Sequence, residues 1–202
     1  MGFYAPPRRN STPRRGGTRL VWTEIPFLIR EVAMEREDYM REALALAREA
    51  AEAGEVPVGC VIVREGQIVG RGRNRREERQ AVASHAEMEA MAQANERLGT
   101  WRLDGCELYV TLEPCPMCAG AILNARIPRV YYGARDAAFG ACGGVLNLFM
   151  EGFPHRPALV GGILGEECRG VLGEFFAGLR EKAGDSRGVA RETTRGAAGK
   201  AT

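Results

Sequence analysis

Residues 84–87 read Ser-His-Ala-Glu and residues 114–118 read Pro-Cys-Pro-Met-Cys, and each stretch opens a predicted helix directly after a turn. A helix N-terminus has unpaired N–H groups and the positive end of the helix dipole, which favour anionic side chains. Cys115 and Cys118 are therefore predicted to be thiolates, the form that binds metal. Their spacing of three places them on one helical face, and Pro116 suits the first turn because its missing N–H would have no partner there.

Together the two stretches supply a metal site. His85, Cys115 and Cys118 are three ligands, one fewer than a structural zinc site uses, which leaves a fourth position for water as in catalytic zinc sites. Glu87 follows His85 by two residues at a helix start, where a carboxylate can stand beside the metal and move protons without being a ligand. We expect one catalytic Zn²⁺ per chain, with Glu87 as the catalytic residue.

Each stretch alone has a simpler interpretation. Ser84 and Glu87 have the spacing of a capping box, in which Glu87 only accepts a backbone N–H. Cys115 and Cys118 have the spacing of a redox dithiol, and a single histidine such as His85 is more often structural than a ligand. The occurrence of both stretches in this order, each at a strand-to-helix turn, favours the metal site.

Helical and β patterns alternate around these stretches. Apolar residues recur at helical spacing over 35–53, 84–98, 116–124 and 164–180, and β-rich runs cover 58–63, 68–73, 108–111, 130–133 and 159–163. The first two β-rich runs form a predicted antiparallel hairpin, and the rest alternate with helices. This order predicts an α/β fold with three α/β/α layers, in which a mixed sheet of about five strands has helices on both faces.

The composition predicts one globular domain between two disordered ends. Of the 202 residues, 45% are hydrophobic and 27% are charged. A basic leader over 1–34 and a Gly-, Ala- and Thr-rich tail over 183–202 cannot bury enough apolar area to offset the entropy of ordering. We therefore expect one domain, which carries the zinc site, at 35–182. The sequence lacks an apolar run of about 20 residues and a signal pattern, so we expect a cytoplasmic protein.

The charge pattern leaves the partner open. The net charge is +2, but residues 1–30 carry +5, so residues 31–202 carry −3. Affinity of the domain for a nucleic acid must therefore come from local arginines. The candidates are Arg71, Arg73, Arg75, Arg76, Arg126, Arg129 and Arg135.

From residue 40 to residue 176 the chain resembles the bacterial tRNA adenosine deaminases, which convert the wobble adenosine of an anticodon to inosine. The resemblance rests on residues 55–59 (Glu-Val-Pro-Val-Gly), Asn74, residues 84–87, residues 108–121 and residues 133–136 (Gly-Ala-Arg-Asp). The His-x-Glu and Pro-Cys-x-x-Cys pair is shared by zinc nucleobase deaminases in general. The substrate is therefore indicated by the other runs.

The resemblance implies a cytidine-deaminase-like fold, a homodimer and a tRNA anticodon stem-loop as the partner. It also implies that Asn74 hydrogen-bonds the flipped nucleotide and that Val56 and Pro57 wall the base pocket. Asp136 would accept a hydrogen bond from a ribose hydroxyl. From the residues alone, Asn74 could instead close a turn and Asp136 could cap its own loop. Glu55 is expected either to contact a base edge or to be structural.

Two other functions remain open from the sequence. A small-molecule deaminase acting on guanine, cytosine or cytidine would have the same metal site, but the closing segment with Phe175, Phe176 and Arg180 resembles the tRNA enzymes. A non-catalytic RNA-binding or assembly subunit with structural zinc would be expected to lack Glu87. The sequence therefore favours zinc-dependent hydrolytic deamination of the wobble adenosine in a tRNA anticodon loop.

Overall fold

The computed structural model describes the backbone of residues 34–197 and the side chains of residues 34–182. All but the last residue of the predicted leader lies outside the described residues. The helices are α1 (Arg36–Glu52), α2 (Arg76–Arg79), α3 (Ala86–Leu98), α4 (Pro116–Ala125) and α5 (Gly165–Ala197), and the strands are β1 (Gly59–Arg64), β2 (Gln67–Arg73), β3 (Cys106–Leu112), β4 (Arg129–Ala134) and β5 (Ala158–Gly161). A 3₁₀ turn covers Leu148–Met150. Within the described residues, we find no helix long and apolar enough to cross a membrane.

The strands form a single mixed sheet in the order β2-β1-β3-β4-β5. β1 pairs antiparallel with both β2 and β3. β3 pairs in parallel with β4, and β4 pairs in parallel with β5. Parallel neighbours need a crossover connection, and α4 provides it between β3 and β4. The predicted five-stranded mixed sheet, opened by an antiparallel hairpin, is confirmed.

The hydrophobic core lies in two layers, one on each face of the sheet. Successive strand residues point to opposite faces. On one face Cys60, Ile62 and Leu108 pack with residues of α3 and α4. On the other face Val61 and Tyr109 pack with residues of α1 and the first turn of α5. The three-layer α/β/α architecture predicted from the sequence is therefore also confirmed.

Two helices differ from the sequence-based expectation. The segment after β2 reads as a loop in the sequence, but it contains the short helix α2. The sequence predicts that the last helix ends near Arg180, but its backbone continues to Ala197. No proline occurs over 165–197, so no backbone N–H is missing from the helical ladder. The domain boundaries at 35 and 182 and the disorder of the tail remain predictions.

The helix α3 approaches β2 so closely that two strand positions require glycine. A Cβ atom at Gly70 would lie 2.2 Å from the carbonyl oxygen of Ala90. One at Gly72 would lie 2.2 Å from the carbonyl oxygen of Ala86. Because Ala86 is the first residue of α3, the contact at Gly72 sets the distance between the sheet and the start of this helix.

We predict that Gly72→Ala lowers the free energy of unfolding by about 1–3 kcal/mol, because the added methyl group must push α3 away from the sheet. Urea denaturation measures the change. Gly170→Ala is the matched control, since a Cβ there meets nothing within 4 Å. Because alanine is favoured over glycine inside a helix such as α5, Gly170→Ala should leave the free energy of unfolding unchanged or raise it by up to about 1 kcal/mol. Equal stability of Gly72→Ala and the wild type would contradict the close approach of α3.

Candidate metal centre

His85 and Cys115 occupy equivalent positions at the starts of two helices. Each is the N-cap residue of its helix and has extended backbone angles, with φ −80° and ψ 155° at His85 and φ −73° and ψ 171° at Cys115. Pro116 is the first residue of α4, as the sequence predicts. Cys118 is buried one turn into the same helix. The three predicted ligands thus come from two helix starts that pack on the same face of the sheet.

The side chains of these three residues converge on one point. The Nδ1 atom of His85 lies 3.7 Å from the Sγ atom of Cys115 and 3.6 Å from that of Cys118. All three ligand atoms lie within 4.8 Å of one another. Tetrahedral coordination, with bonds of about 2.3 Å to sulfur and about 2.0 Å to nitrogen, separates the nitrogen and sulfur atoms by about 3.5 Å. The two nitrogen–sulfur distances are therefore close to those around a tetrahedral metal ion.

The two cysteines of the triangle bind one proton between them. The hydrogen bond with Cys118 is the main cause that lowers the pKa of Cys115 to about 4. The same hydrogen bond, together with burial, raises the pKa of Cys118. The hydrogen bond with Cys115 raises the pKa of His85. Metal ligation needs both cysteines as thiolates, so binding of an ion releases the shared proton.

Glu87 is a buried carboxyl group beside the ligands. Only 3% of the residue is exposed, and burial raises its pKa to about 6. The charge of Cys115 also raises the pKa, whereas a hydrogen bond from its own backbone N–H, the charge of His85 and a hydrogen bond from Cys118 lower it. The N-cap residue of α3 is His85, whose side chain makes no cap hydrogen bond. The predicted capping box with Ser84 as N-cap therefore does not form, and the carboxyl group of Glu87 forms hydrogen bonds with its own backbone N–H and with Cys118.

A cavity of about 130 Å³ opens beside the triangle. Its lining includes Val56 and Asn74, two of the predicted substrate contacts, but neither Pro57 nor Asp136. The Oδ1 atom of Asp136 instead accepts hydrogen bonds from backbone N–H groups two and three residues later, at 2.9 and 3.0 Å. Asp136 thus caps its own loop, which the sequence held open as an alternative, and its ribose contact remains a prediction.

Sequence reasoning missed Val58, Leu112 and Glu113, which line the cavity together with the predicted residues. Arg76, which the sequence nominates only for phosphate contacts, lines it as well. The available signal was positional, because Val58 lies directly before β1 and Leu112 is the last residue of β3, which leads to Cys115. Such strand ends commonly supply the walls of ligand sites in α/β proteins.

Glu55 holds the segment on one side of the cavity. It is 1% exposed and accepts a hydrogen bond from the Nδ2 atom of Asn74 at 3.3 Å. It also accepts from the backbone N–H groups of Glu77 at 3.2 Å and Glu78 at 2.6 Å. These two groups belong to the first turn of α2, which explains why a helix forms where the sequence predicts a loop. The carboxylate lies in the protein interior, so the structural alternative for Glu55 is the one that the contacts support.

Glu113 holds the segment on the other side. It is 2% exposed and accepts hydrogen bonds from the backbone N–H groups of Asp136 at 3.1 Å, Cys142 at 2.9 Å and Gly144 at 2.7 Å. The sequence shows Glu113 only as part of a motif, directly after a buried strand. Its partners lie 23 to 31 residues away along the chain, so no local pattern could have indicated them.

The arginines that the sequence nominates for phosphate contacts all have partners within the chain. Ion pairs join Arg71 to Glu42, Arg73 and Arg75 to Glu78, Arg76 to Glu77, and Arg129 to Glu107. Arg126 and Arg135 donate to the carbonyl oxygens of Leu123 and Gly143. Surface ion pairs contribute only about 0–1 kcal/mol each. A phosphate group can therefore displace these partners at small cost.

The chain has close relatives among known deaminases. The family described as MafB19-like deaminase matches residues 34–180. The tRNA-specific adenosine deaminase of Bacillus subtilis (strain 168) is 50% identical over 147 residues, which cover 72% of this chain and 91% of that protein. The chain belongs to the family of tRNA-specific adenosine deaminases. The resemblance stated from the sequence is thereby confirmed.

Solved structures agree with the fold of this family. A structure from studies of A-to-I editing by tRNA:A34 deaminases at the wobble position is 45% identical, with a TM-score of 0.62 over 64% of this chain and 100% of that one. The guanine deaminase of Nitrosomonas europaea is 26% identical, with a TM-score of 0.63 over 70% of this chain and 84% of that one. The cytidine-deaminase-like fold is confirmed. The fold is shared by enzymes with different substrates, so it does not select among them.

Proposed function

We propose that this chain hydrolyses the exocyclic amine of the wobble adenosine in a tRNA anticodon loop, forming inosine, with zinc held by His85, Cys115 and Cys118. One observation carries the proposal. The buried carboxyl group of Glu87 lies beside three residues that could hold a metal ion, and Glu87, His85 and Cys115 line the same cavity. The tRNA substrate is supported by the relative from Bacillus subtilis, whose name specifies tRNA adenosine.

Glu87 carries the protons of this reaction. Zinc, when bound, gives the attacking water the acidity that hydrolysis needs near neutral pH. The carboxylate of Glu87 takes a proton from the water as its oxygen bonds to the amine-bearing carbon, and donates this proton to the neighbouring ring nitrogen. It then takes the proton of the new hydroxyl group and passes it to the amine, which leaves as ammonia while the carbonyl group of inosine forms. A pKa of about 6 suits both roles, because the group can gain and lose a proton close to neutral pH.

The residues around the cavity orient the target nucleotide. Val56, Val58 and Leu112 provide apolar walls for a base that has left its stack. Asn74 provides the polar contact to the nucleotide, and Pro57 shapes the wall through its neighbours. Since Oδ1 of Asp136 already caps its loop, a ribose hydroxyl would donate to Oδ2.

A second copy of the chain is the proposed occupant of the groove between α3 and α4. This groove is lined by Met88, Met91, Trp101, Ala121 and Arg126, among others. Trp101 is 59% exposed, and a large apolar side chain beside methionines is typical of an interaction surface. The homodimer implied by the resemblance fits this groove. Ala119 and Ile122 are buried in the chain's own core, so the opposite face of α4 would form the interface.

We predict that the purified protein contains about one zinc ion per chain and that His85→Ala, Cys115→Ala and Cys118→Ala each lose it, because two remaining ligands bind zinc weakly. Elemental analysis measures the content. Cys168→Ala is the control, since this buried cysteine packs on the other face of the sheet, and it should keep its zinc. An active wild type without zinc would rule out the proposed chemistry.

We predict that Glu87→Ala keeps the zinc and the fold but loses about 100- to 10,000-fold in turnover, because no other group replaces its proton transfers. Single-turnover inosine formation is the measurement. Glu96→Gln, an exposed change in the same helix, should turn over at the wild-type rate. If Glu87→Ala retained wild-type activity, the carboxyl group would have only a structural role.

We predict that an anticodon stem-loop is deaminated far more efficiently than free adenosine, because the phosphate and flanking-base contacts that position the target are missing from the nucleoside. The rate should fall steeply with salt, since phosphate contacts release counterions on binding. Inosine is scored by nuclease digestion and chromatography over a salt series. Equal turnover of free guanine, cytosine or adenosine without salt dependence would favour a small-molecule deaminase and leave the metal chemistry unchanged.

We predict that the wild type is a dimer in solution and that Trp101→Glu shifts it to the monomer, because the change places a charge in the apolar groove. Light scattering after size-exclusion chromatography gives the mass. Leu179→Glu is the control, since this exposed residue of α5 lies outside the groove, and it should remain dimeric. A monomeric wild type would contradict the interface.

A further inference from the structure

We propose that Glu55 is a positioning residue, whose buried carboxylate orients the side-chain amide of Asn74 at the cavity and so determines how well the target nucleotide binds. The inference rests on the proposed function, in which Asn74 contacts the substrate. It assigns to Glu55 an effect on catalysis that passes through Asn74 and not through direct contact with the nucleotide.

Two acceptors determine the orientation of the Asn74 amide. Its Nδ2 atom donates to Oε2 of Glu55 at 3.3 Å and to the carbonyl oxygen of Val56 at 3.3 Å. Because a carboxylate and a carbonyl can only accept, the amide nitrogen must lie on this side and the amide oxygen on the other. Asn74 is only 8% exposed and lines the cavity. The amide plane that meets the nucleotide is therefore set inside the protein and not by solvent.

Glu55 is itself held rigidly. Its Oε1 atom accepts from the backbone of Glu78 at 2.6 Å and its Oε2 atom from the backbone of Glu77 at 3.2 Å. The helix α2 has no side-chain cap of its own, so the carboxylate takes that place. A buried carboxylate that accepts three hydrogen bonds has little freedom to move, because breaking any one of these bonds leaves a buried polar group unpaired.

Glu113 offers a matched comparison on the opposite side of the cavity. It is equally buried, and it also accepts three hydrogen bonds, but all three come from backbone N–H groups. Glu113 therefore holds a loop, whereas Glu55 additionally holds a side chain that faces the cavity. Substitution of either should lower stability, but only substitution of Glu55 should act through Asn74.

The test is a double-mutant cycle of Glu55→Gln and Asn74→Ala, measured as kcat and KM for an anticodon stem-loop below the melting temperature of every variant. Glu55→Gln keeps the shape of the side chain but turns one acceptor into a donor. The short bond from Glu78 favours an oxygen at that end, so the new NH₂ group faces both Nδ2 of Asn74 and the backbone N–H of Glu77. The Asn74 amide is forced to turn, and the weaker bond to Glu77 is lost.

We expect each single variant to lower kcat/KM roughly 10-fold or more, mainly by raising KM. We expect the double variant to be no worse than Asn74→Ala alone, because the effect of Glu55 requires the Asn74 amide. Glu113→Gln with Asn74→Ala is the control cycle, and its two effects should multiply. A readout independent of activity is the side-chain amide signal of Asn74 in a nitrogen–proton correlation spectrum, which Glu55→Gln should shift and Glu113→Gln should not.

The proposal would be overturned if the effects of Glu55→Gln and Asn74→Ala on kcat/KM multiplied in the double variant, or if Glu55→Gln left KM unchanged. Glu55 would then be a purely structural residue. If Glu55→Gln does not fold, Glu55→Asp carries the same cycle with a carboxylate that is one methylene too short to reach Asn74. An inactive wild type on the stem-loop would instead count against the proposed function. The cycle would then be measured with the base that the wild type does deaminate, and the same two outcomes would decide it.

Discussion

The convergence of two helix starts on one face of the sheet is the constraint on which the rest of this structure depends. A nitrogen atom from the start of α3 and two sulfur atoms from the first turn of α4 must come within a few ångströms of one another. The position of α3 is set by its contact with Gly72. The position of α4 is set by its role as the crossover between the parallel strands β3 and β4. Sheet geometry thus determines the metal triangle before any ion binds.

Three glutamates are buried among the described residues, and their hydrogen-bond partners differ. Burial of a carboxylate is costly unless hydrogen bonds compensate for the lost water. Glu55 and Glu113 each accept three hydrogen bonds, so their charge is stabilised and they hold the two sides of the cavity. Glu87 accepts fewer hydrogen bonds, from its own backbone N–H and from Cys118, and burial raises its pKa. Because burial makes the charged form of Glu87 less favourable, its pKa lies closer to neutral pH, and this property suits a group that transfers protons.

Recognition of RNA by this chain needs a source of affinity other than net charge. Residues 31–202 carry a net charge of −3, and the nominated arginines already have partners in the chain. In the free protein these arginines are neutralised by weak surface ion pairs, so the net charge stays low. When an arginine exchanges its partner for a phosphate group, it binds that phosphate at a defined place and in a defined geometry. This arrangement suits a protein that binds a shaped loop more than one that binds any polyanion.

The sequence by itself determined the three residues that form the triangle, the glutamate beside them and the layer architecture. These depend on local relations: His85 and Glu87 are two residues apart, Cys115 and Cys118 are three apart, and strand or helix periods extend over a few residues. Only the tertiary structure decided that Glu55 orients toward Asn74 and α2, that Glu113 ties down a loop, and that Pro57 stays out of the cavity lining. Those contacts join residues about 20 to 30 positions apart, and such pairs depend on strand register and on the paths of loops. Periodicity carries no information about either, because it reports on neighbours within one element and not on which elements meet.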